Sequence, residues 1–480
     1  MDIVKRDDLI VRQINTGCLA QFSYIVVSNG EAFVIDPLRD VQMYMVMSKE
    51  LGADIKYVAE THYHADFVSG YHDLAKKAGA TIVFGPESNP DFDCMVTKDG
   101  QVIKVGNYQI RTLHTPGHTL ESSTYLLESP SEEHICVFTG DTLFLGDVGR
   151  PDLAQKAGEL TKEDLATKLF HSCLKLKQLL GDDVLVFPGH GAGSACGKSI
   201  QSGTYSTIGD QKKTNYAFKL EDEQEFVKAV AGGLLKPPSY FGNDVSMNKN
   251  PNLKEVDQIV AEAKAFDIAE FKELSKADDT FIIDSRSKTA YVKGHLPQAI
   301  FVPLTGKYAI WTAFLVKPHE KILLVTDEGK EEESTYRLAR VGLDNVLGHL
   351  KGGFEAWKAA GEEVQTLDLY HPETPEEFES KLKDKHLLDI RSQGEWGNGA
   401  HEQAYLTSLT YVRDIFEANQ GEGATWHHGN VLVTCQSGGR SLVTASFLAS
   451  KGVKGIESLD GGVNRLKEIG VKLVPRGISD

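Results

Sequence analysis

Six short stretches of this 480-residue chain carry side chains spaced for chemistry. In Thr61–Gly70, T-H-Y-H-A-D-F-V-S-G, the residues His62, His64 and Asp66 recur at every second position. An extended segment sets them on one face, and a tight turn converges them. Imidazole with carboxylate suits a divalent transition metal, although a lone H-x-H is as readily a pair of ordinary surface histidines. Downstream come His114-Thr115-Pro116-Gly117-His118, then Gly140-Asp141, then Pro188-Gly189-His190. Each ends a β-branched or aromatic run, so four predicted strand ends deliver a metal-competent group in series. For one such turn a loop histidine or a capping aspartate is the simpler reading; four in this order are hard to obtain by chance. The fifth stretch is Cys435-Gln436-Ser437-Gly438-Gly439-Arg440, between a predicted strand (Val431 to Thr434) and a predicted helix (Ser441 to Ser450). A cysteine there faces backbone N–H groups and the positive end of the helix, and both favour thiolate. The glycines let the backbone curl into an anion cradle. A loop this tight fits one extra sulfur, a persulfide on Cys435. The sixth stretch, Gly193 to Lys198, places Cys196 six residues past His190. Cys196 and Cys18 are candidates for a redox role; Cys94, Cys136 and Cys173 read as structural.

The elements that must hold these groups follow from the hydrophobic pattern. Residues 9 to 37 alternate in the manner of a hairpin about Asn29-Gly30. Helical patterns over Val41–Leu51 and Gly70–Gly79 then interleave with strands over Ile55–Glu60 and Ala80–Phe84, and a second hairpin lies around Gly106-Asn107. Thr161 to Leu176 reads as an amphipathic helix with its own start signal. A layered α/β fold with antiparallel content fits best. At this length roughly three domains are expected. The net charge of -17, with no basic run, argues against nucleic acid or an anionic membrane as partner. No apolar stretch is long enough to span a bilayer, and the N-terminus carries no apolar signal segment. Six scattered cysteines without a C-x-x-C pair point to a reducing, cytoplasmic setting.

The series H-x-H-x-D, T-P-G-H, G-D, P-G-H resembles the metallo-β-lactamase superfamily over about residues 1 to 262, and most of all its persulfide dioxygenases, which are similar to glyoxalase II but carry one Fe(II). The resemblance implies an αββα sandwich with iron held by His62, His118 and Asp141, one per chain, with Zn2+ as the alternative. Hydrolases of the superfamily follow the aspartate of the motif with another histidine, a ligand of the second metal; here that position is Phe67. His64, Asp66 and His190 are then expected to orient ligands or to form a residual second site. Gly146 to Asp152 resembles the G-x-G-R loop of these dioxygenases, so Arg150 is expected to hold the carboxylate of a thiol carrier such as glutathione or coenzyme A, unless it simply pairs with Asp152. Tyr125 is a candidate pocket residue, with core packing as the alternative. Residues 200 to 262 are polar and turn-rich and read as a lid passing into a linker.

From about residue 265 the chain nearly repeats. Phe281 to Arg286 matches Leu387 to Ser392, Lys321 to Asp327 matches Val431 to Cys435, and Lys351-Gly352-Gly353 matches Asp460-Gly461-Gly462. Two parallel α/β domains follow, at 263–366 and 367–480. The Cys435 loop with its D-x-R and G-G flanks resembles the active loop of rhodanese sulfurtransferases, with Cys435 and Arg440 catalytic and Gln436, Ser437, Gly438 and Gly439 cradling substrate. The first copy reads Asp327-Glu328-Gly329-Lys330 at that place and should be silent. The expectation is a bifunctional enzyme of sulfide oxidation: O2 and a small thiol persulfide give sulfite, and Cys435 moves sulfur between persulfide, sulfite and thiosulfate. The rival readings are a zinc thioester hydrolase with appended sulfurtransferase domains, and a non-catalytic sulfur carrier or sensor. A homo-oligomer, dimer or tetramer, is expected.

Overall fold

The computed structural model describes every residue except 7, 156, 251, 419–428 and 478–480. The chain forms two compact units, Met1–Val256 and Asp257–Asp480. The first holds two facing sheets. One has seven strands in sequence order from Asp2–Arg6 to Met95–Val96; the other has six, running from Ser206–Thr207 back to Val102–Val105. Their inner faces meet in a core of Tyr24, Val26, Phe33, Ile35, Tyr125, Leu127, Phe138 and Phe187. The helix Lys162–Leu179, started by a Thr161/Asp164 capping box, buries Leu169, Cys173 and Leu176 on the outer side of the second sheet. Helices Gln42–Glu50 and Tyr71–Ala78 pack with strand Asp54–Ala59 of the first sheet. This is the αββα sandwich expected. The hairpin about Asn29-Gly30 is present, both residues at positive φ as a primed turn requires.

The polar stretch 200–262 is more ordered than its composition suggests. It forms helices Ile208–Thr214, Glu223–Ala231 and Phe241–Asn248, and Ile208, Phe218, Phe226 and Val230 join the outer core beside Leu169. Asp222 to Leu235 could be read as a helix from the sequence, and the structure has one at Glu223–Ala231, with Phe226 and Val230 buried.

The second unit contains two five-stranded, all-parallel sheets with one strand order. Lys264–Phe266, Val346–Leu350, Lys321–Val325, Thr280–Asp284 and Ile300–Phe301 make the first. Asp368–Tyr370, Glu457–Leu459, Val431–Thr434, His386–Asp389 and Tyr405–Leu406 make the second. In each copy the D-x-R pair is a buried clamp: Arg286 forks onto Asp284 and donates to Gly294 O, and Arg391 does the same with Asp389 and Gly399 O. Removing one partner would leave the other charge buried, so both are kept together. Among the described residues no helix is long and apolar enough to cross a membrane.

Candidate metal centre and sulfur loop

Parallel strands Glu31–Ile35 and Asp54–Ala59 end side by side at Asp36 and His62, and parallel strands His134–Gly140 and Leu185–Pro188 end at Asp141 and His190. Strand ends of one polarity thus meet at one edge of the sandwich. There His62, His118 and Asp141 each offer a ligand atom, all within 4.8 Å of one another. Asp141 Oδ2 lies 3.8 Å from His62 Nε2 and 3.5 Å from His118 Nε2. His118 Nδ1 donates to Arg150 O at 2.9 Å, which leaves Nε2 as the bare nitrogen. His62 Nδ1 meets Thr61 Oγ1, which itself donates to Asp36 Oδ2, so the same tautomer follows. Asp36 holds a left-handed φ of 50° to accept both that hydroxyl and the Thr61 N–H. Burial, then the neighbouring His64, lowers the His62 pKa well below the usual imidazole value and keeps it neutral. Burial alone would raise Asp141, but His190 beside it holds the carboxyl far below the usual range. His118 Nε2 and Asp141 Oδ2 are buried without a hydrogen-bond partner. A divalent cation would satisfy both, so these residues fit a metal. A side chain at Gly149 would put its Cβ 2.0 Å from Asp141 O and 2.9 Å from His118 Nδ1, which explains the glycine before Arg150.

His64 points away from the three donors. Its Nε2 lies 3.2 Å from Asp36 Oδ1 and 3.3 Å from Glu60 Oε2; burial opposes its charge, but these carboxylates raise its pKa well above the usual value. Asp66, His190 and Cys196 form a second group of possible ligands. His190 lies 2.8 Å from both Asp141 Oδ1 and Asp66 Oδ2, and against the effect of burial these carboxylates push its pKa up to about 10. The Phe67 ring, fully buried, has its centroid 4.3 Å from that of His64 and 6.4 Å from that of His190, beside the two histidines, which lie 6.3 Å from each other. Phe67→His is therefore expected to raise the metal content of purified protein above that of wild type by up to one ion per chain, as read by elemental analysis; an unchanged content would show that Phe67 does not block a further ion.

At Arg150 and Tyr125 the structure takes the alternative reading over the substrate-binding one: pairing with Asp152 and core packing. Arg150 is buried and its fork is filled by Asp152, at 2.6 and 2.7 Å, with further bonds to Ala195 O and Leu235 O. Its role here is to fix a loop whose own carbonyl orients His118. Tyr125 lies in the inter-sheet core and donates to Glu60 O, because its strand position faces inward. Burial, then Asp66 and Asp141, raises the Cys196 pKa well above the usual thiol value, opposite to what a readily oxidised thiolate needs. The turn carrying Cys18 adjoins the site through Gly191 N–H to Ala20 O.

A cleft of about 530 Å³ opens at His118. Tyr63, Glu87, Asp91, Leu153 and Lys249 help line it, and the Lys249 ammonium stands 5.1 Å over the Tyr63 ring. Next to it, Asn248 donates to His64 O and Phe67 O and accepts from Ser69 N–H, each at 2.8 Å. Asn248 thus clamps the H-x-H-x-D loop from 184 residues away in sequence. Neither residue has a local signal; a mixed polar stretch 241–250 after a Pro-Pro pair gives no reason to place them at the site.

In the second unit, strand Val431–Thr434 runs into the Cys435 loop and helix Gly439–Ser450. Gly438, at φ 91°, turns its N–H onto Cys435 Sγ at 3.1 Å, and Ser441 Oγ lies 3.6 Å from the same sulfur. Val463 N–H donates to Cys435 O and Asn464 N–H to Gln436 O, tying the loop to the Gly461-Gly462 turn. Gln436 bonds Asn464 and Arg391; Ser437 is exposed; Gly439 starts the helix. Arg440 is held bidentate by Glu395 at 2.8 and 2.5 Å, and despite its burial this arginine pulls the Glu395 carboxyl down to about 2. Glu395 was not foreseen, since a helix-start glutamate reads as a cap, a role it also fills by accepting the Ser392 N–H.

Comparisons with known proteins agree with this fold. The metallo-beta-lactamase superfamily model matches residues 16–92, and the rhodanese-like domain model matches 267–360 and 374–468. The bovine mitochondrial persulfide dioxygenase ETHE1 is 30% identical over 244 residues, 50% of this chain and 87% of that protein. A probable hydroxyacylglutathione hydrolase, glo2 of Schizosaccharomyces pombe, is 28% identical over 235 residues, 46% of this chain and 86% of that protein. Among solved structures, a metallo-beta-lactamase from Staphylococcus aureus superposes with a TM-score of 0.62 at 30% identity, covering 72% of this chain and 99% of that one.

Proposed function

The chain belongs to the metallo-β-lactamase superfamily, with persulfide dioxygenase homologues, and carries two rhodanese-like domains; on that premise we propose that it oxidises a small thiol persulfide to sulfite with O2 and moves sulfane sulfur through Cys435. The overall reaction is RSSH + O2 + H2O → RSH + SO3²⁻ + 2 H⁺. Three convergent donors beside a phenylalanine at the second-metal position carry this reading. Fe(II), one per chain, when bound supplies the redox chemistry that O2 needs to react with a sulfane sulfur. His62, His118 and Asp141 hold it; Arg150 O, Thr61 and His190 fix their orientation. Buried Phe67 puts a ring that cannot ligate beside His64.

The thiol carrier occupies the cleft at His118, whose lining includes Lys249 and the acids Glu87, Asp91 and Glu121. One cation among carboxylates suits a zwitterionic carrier such as glutathione better than polyanionic coenzyme A. In the second station the Cys435 thiolate takes the outer sulfur of a persulfide, RSH leaves, and sulfite takes that sulfur to give thiosulfate, or the same steps run in reverse. The Gly438 N–H steadies the sulfur in either direction. The rival reading, zinc-dependent thioester hydrolysis, is favoured by the Asp66, His190 and Cys196 grouping.

Protein purified without air, analysed for metals and placed in an O2 electrode cell, decides between them. Iron near one per chain with O2 uptake on glutathione persulfide, faster than on coenzyme A persulfide, is expected. Two zincs and turnover of S-lactoylglutathione without O2 uptake would reject the oxygenase reading.

A further inference from the structure

We propose that the cysteine-less rhodanese copy completes the sulfur site of the second copy, with its Lys288 as a positioning residue for the Cys435 loop. The inference rests on the reading of Cys435 as the sulfur carrier, and it gives the silent copy a task within that chemistry. The two copies are locked together within one compact unit. Arg413 of the second copy forks onto Glu320 of the first at 2.6 and 2.6 Å and also donates to Leu315 O, in a buried setting. Phe301 N–H of the first copy donates to Ser446 Oγ, on the helix that the Cys435 loop opens into. That helix is therefore tied to the first copy at Ser446, and the loop at its start inherits the placement.

At the loop itself the first copy contributes a charge. Lys288 begins helix Lys288–Lys293, where Ser287 caps the turn just after the Asp284-Ser285-Arg286 clamp. Its Nζ lies 2.5 Å from Asp460 Oδ1, in the turn that precedes Gly461-Gly462. The same Nζ comes within 3.4 Å of the point where a Cβ on Gly438 would sit, and Gly461 N lies 3.0 Å from that point. Gly438 is the residue whose N–H reaches Cys435 Sγ. Lys288, Asp460, Gly461 and Gly438 thus form one wall of the sulfur cradle, with His371 Nδ1 on the other oxygen of Asp460 at 3.5 Å. Lys288 leads the groups that hold the Asp460 carboxyl below its usual range. The pair is about a third exposed, so water and salt reach it.

The charge balance gives the role its content. Sulfite and thiosulfate arrive as dianions. With Lys288 in place, Asp460 is neutralised beside the loop; without it, the carboxylate keeps only His371 Nδ1 at 3.5 Å and its charge stands uncompensated by lysine beside the Cys435 loop. In the thiosulfate assay the Cys435 thiolate bonds to the outer sulfur, the S–S bond breaks, and sulfite leaves with the electron pair. Cyanide then takes the sulfur as thiocyanate and returns the thiolate.

The test uses the full chain with thiosulfate as donor and cyanide as acceptor. Lys288→Gln is expected to raise KM for thiosulfate roughly 5- to 20-fold at low ionic strength, the scale of one unscreened charge near a surface, with kcat within about twofold. The excess should shrink as salt is raised. Lys288→Arg should restore most of the KM, and so should Asp460→Asn added to Lys288→Gln, since that removes the negative charge Lys288 had balanced. A merely structural loss would instead lower kcat and melting temperature together, with no salt dependence and no rescue by Asp460→Asn, and that pattern overturns the inference. So does a Lys288→Gln enzyme with wild-type KM. Wild-type protein without any sulfur transfer overturns the Cys435 reading and this inference with it.

Discussion

Cys435→Ser is expected to abolish sulfur transfer, by on the order of 10³-fold or more, while O2 uptake on a thiol persulfide stays at the wild-type rate. The sulfur sits in a buried loop with the Gly438 N–H directed at it from 3.1 Å and Ser441 Oγ at 3.6 Å. A serine hydroxyl fits the same space but stays protonated there, and it cannot form the persulfide that carries the sulfur. No other group takes over: the equivalent loop of the first copy, Asp327 to Glu332, carries acids and a lysine. Serine is nearly isosteric with cysteine, so the packing of helix Gly439–Ser450 should survive. The three metal donors all lie in the other compact unit, Met1–Val256. Their chemistry should not register the change. Thiocyanate formation and O2 uptake measured on one preparation check both halves. Loss of both activities would mean one shared site, and loss of neither would mean that Cys435 is not the carrier.

The parts of this protein that were legible in its sequence are those with a local signature. Four strand ends with His or Asp could be placed because a buried strand announces itself by composition, and its last residue must emerge at the sheet edge. The two copies could be matched because D-x-R, a central buried strand and G-G recur at fixed places, and both clamps adopt one geometry. Side-chain direction was harder. Tyr125 sits on a correctly placed strand, but which face it takes depends on register, and it faces the core. Arg150 lies on the expected loop, yet Asp152 two residues on fills its fork. The groups missed outright, Asn248, Lys249, Glu395 and Lys288, act across the fold on loops far away in the chain. Single polar residues in helix-start or mixed polar positions carry no periodicity, so only the folded chain shows which loop they meet.

Asp141→Ala is expected to lower bound metal and O2 uptake by at least about 100-fold, while cyanolysis of thiosulfate through Cys435 continues. Asp141 is the one anion among the three donors, and its Oδ2 lies within 3.8 Å of both His62 Nε2 and His118 Nε2. Two neutral imidazoles alone bind a divalent cation far less tightly than two imidazoles with a carboxylate. The alanine also strips His190 of one of its two carboxylate partners, so a buried charged imidazole keeps only Asp66. Breaking such a buried pair costs roughly 3–5 kcal/mol, and the first unit should melt earlier. Asp141→Asn separates the two effects. Its amide oxygen can still accept from His190 Nδ1, so stability should recover more than metal affinity does. The measurements are iron per chain, O2 uptake and a thermal melt for each variant. Asparagine that restores the melt but not the iron supports Asp141 as a ligand. Full iron in either variant would show that the metal is held elsewhere, with Asp66, His190 and Cys196, or Asp36, Glu60 and His64, as the other possible ligand groups.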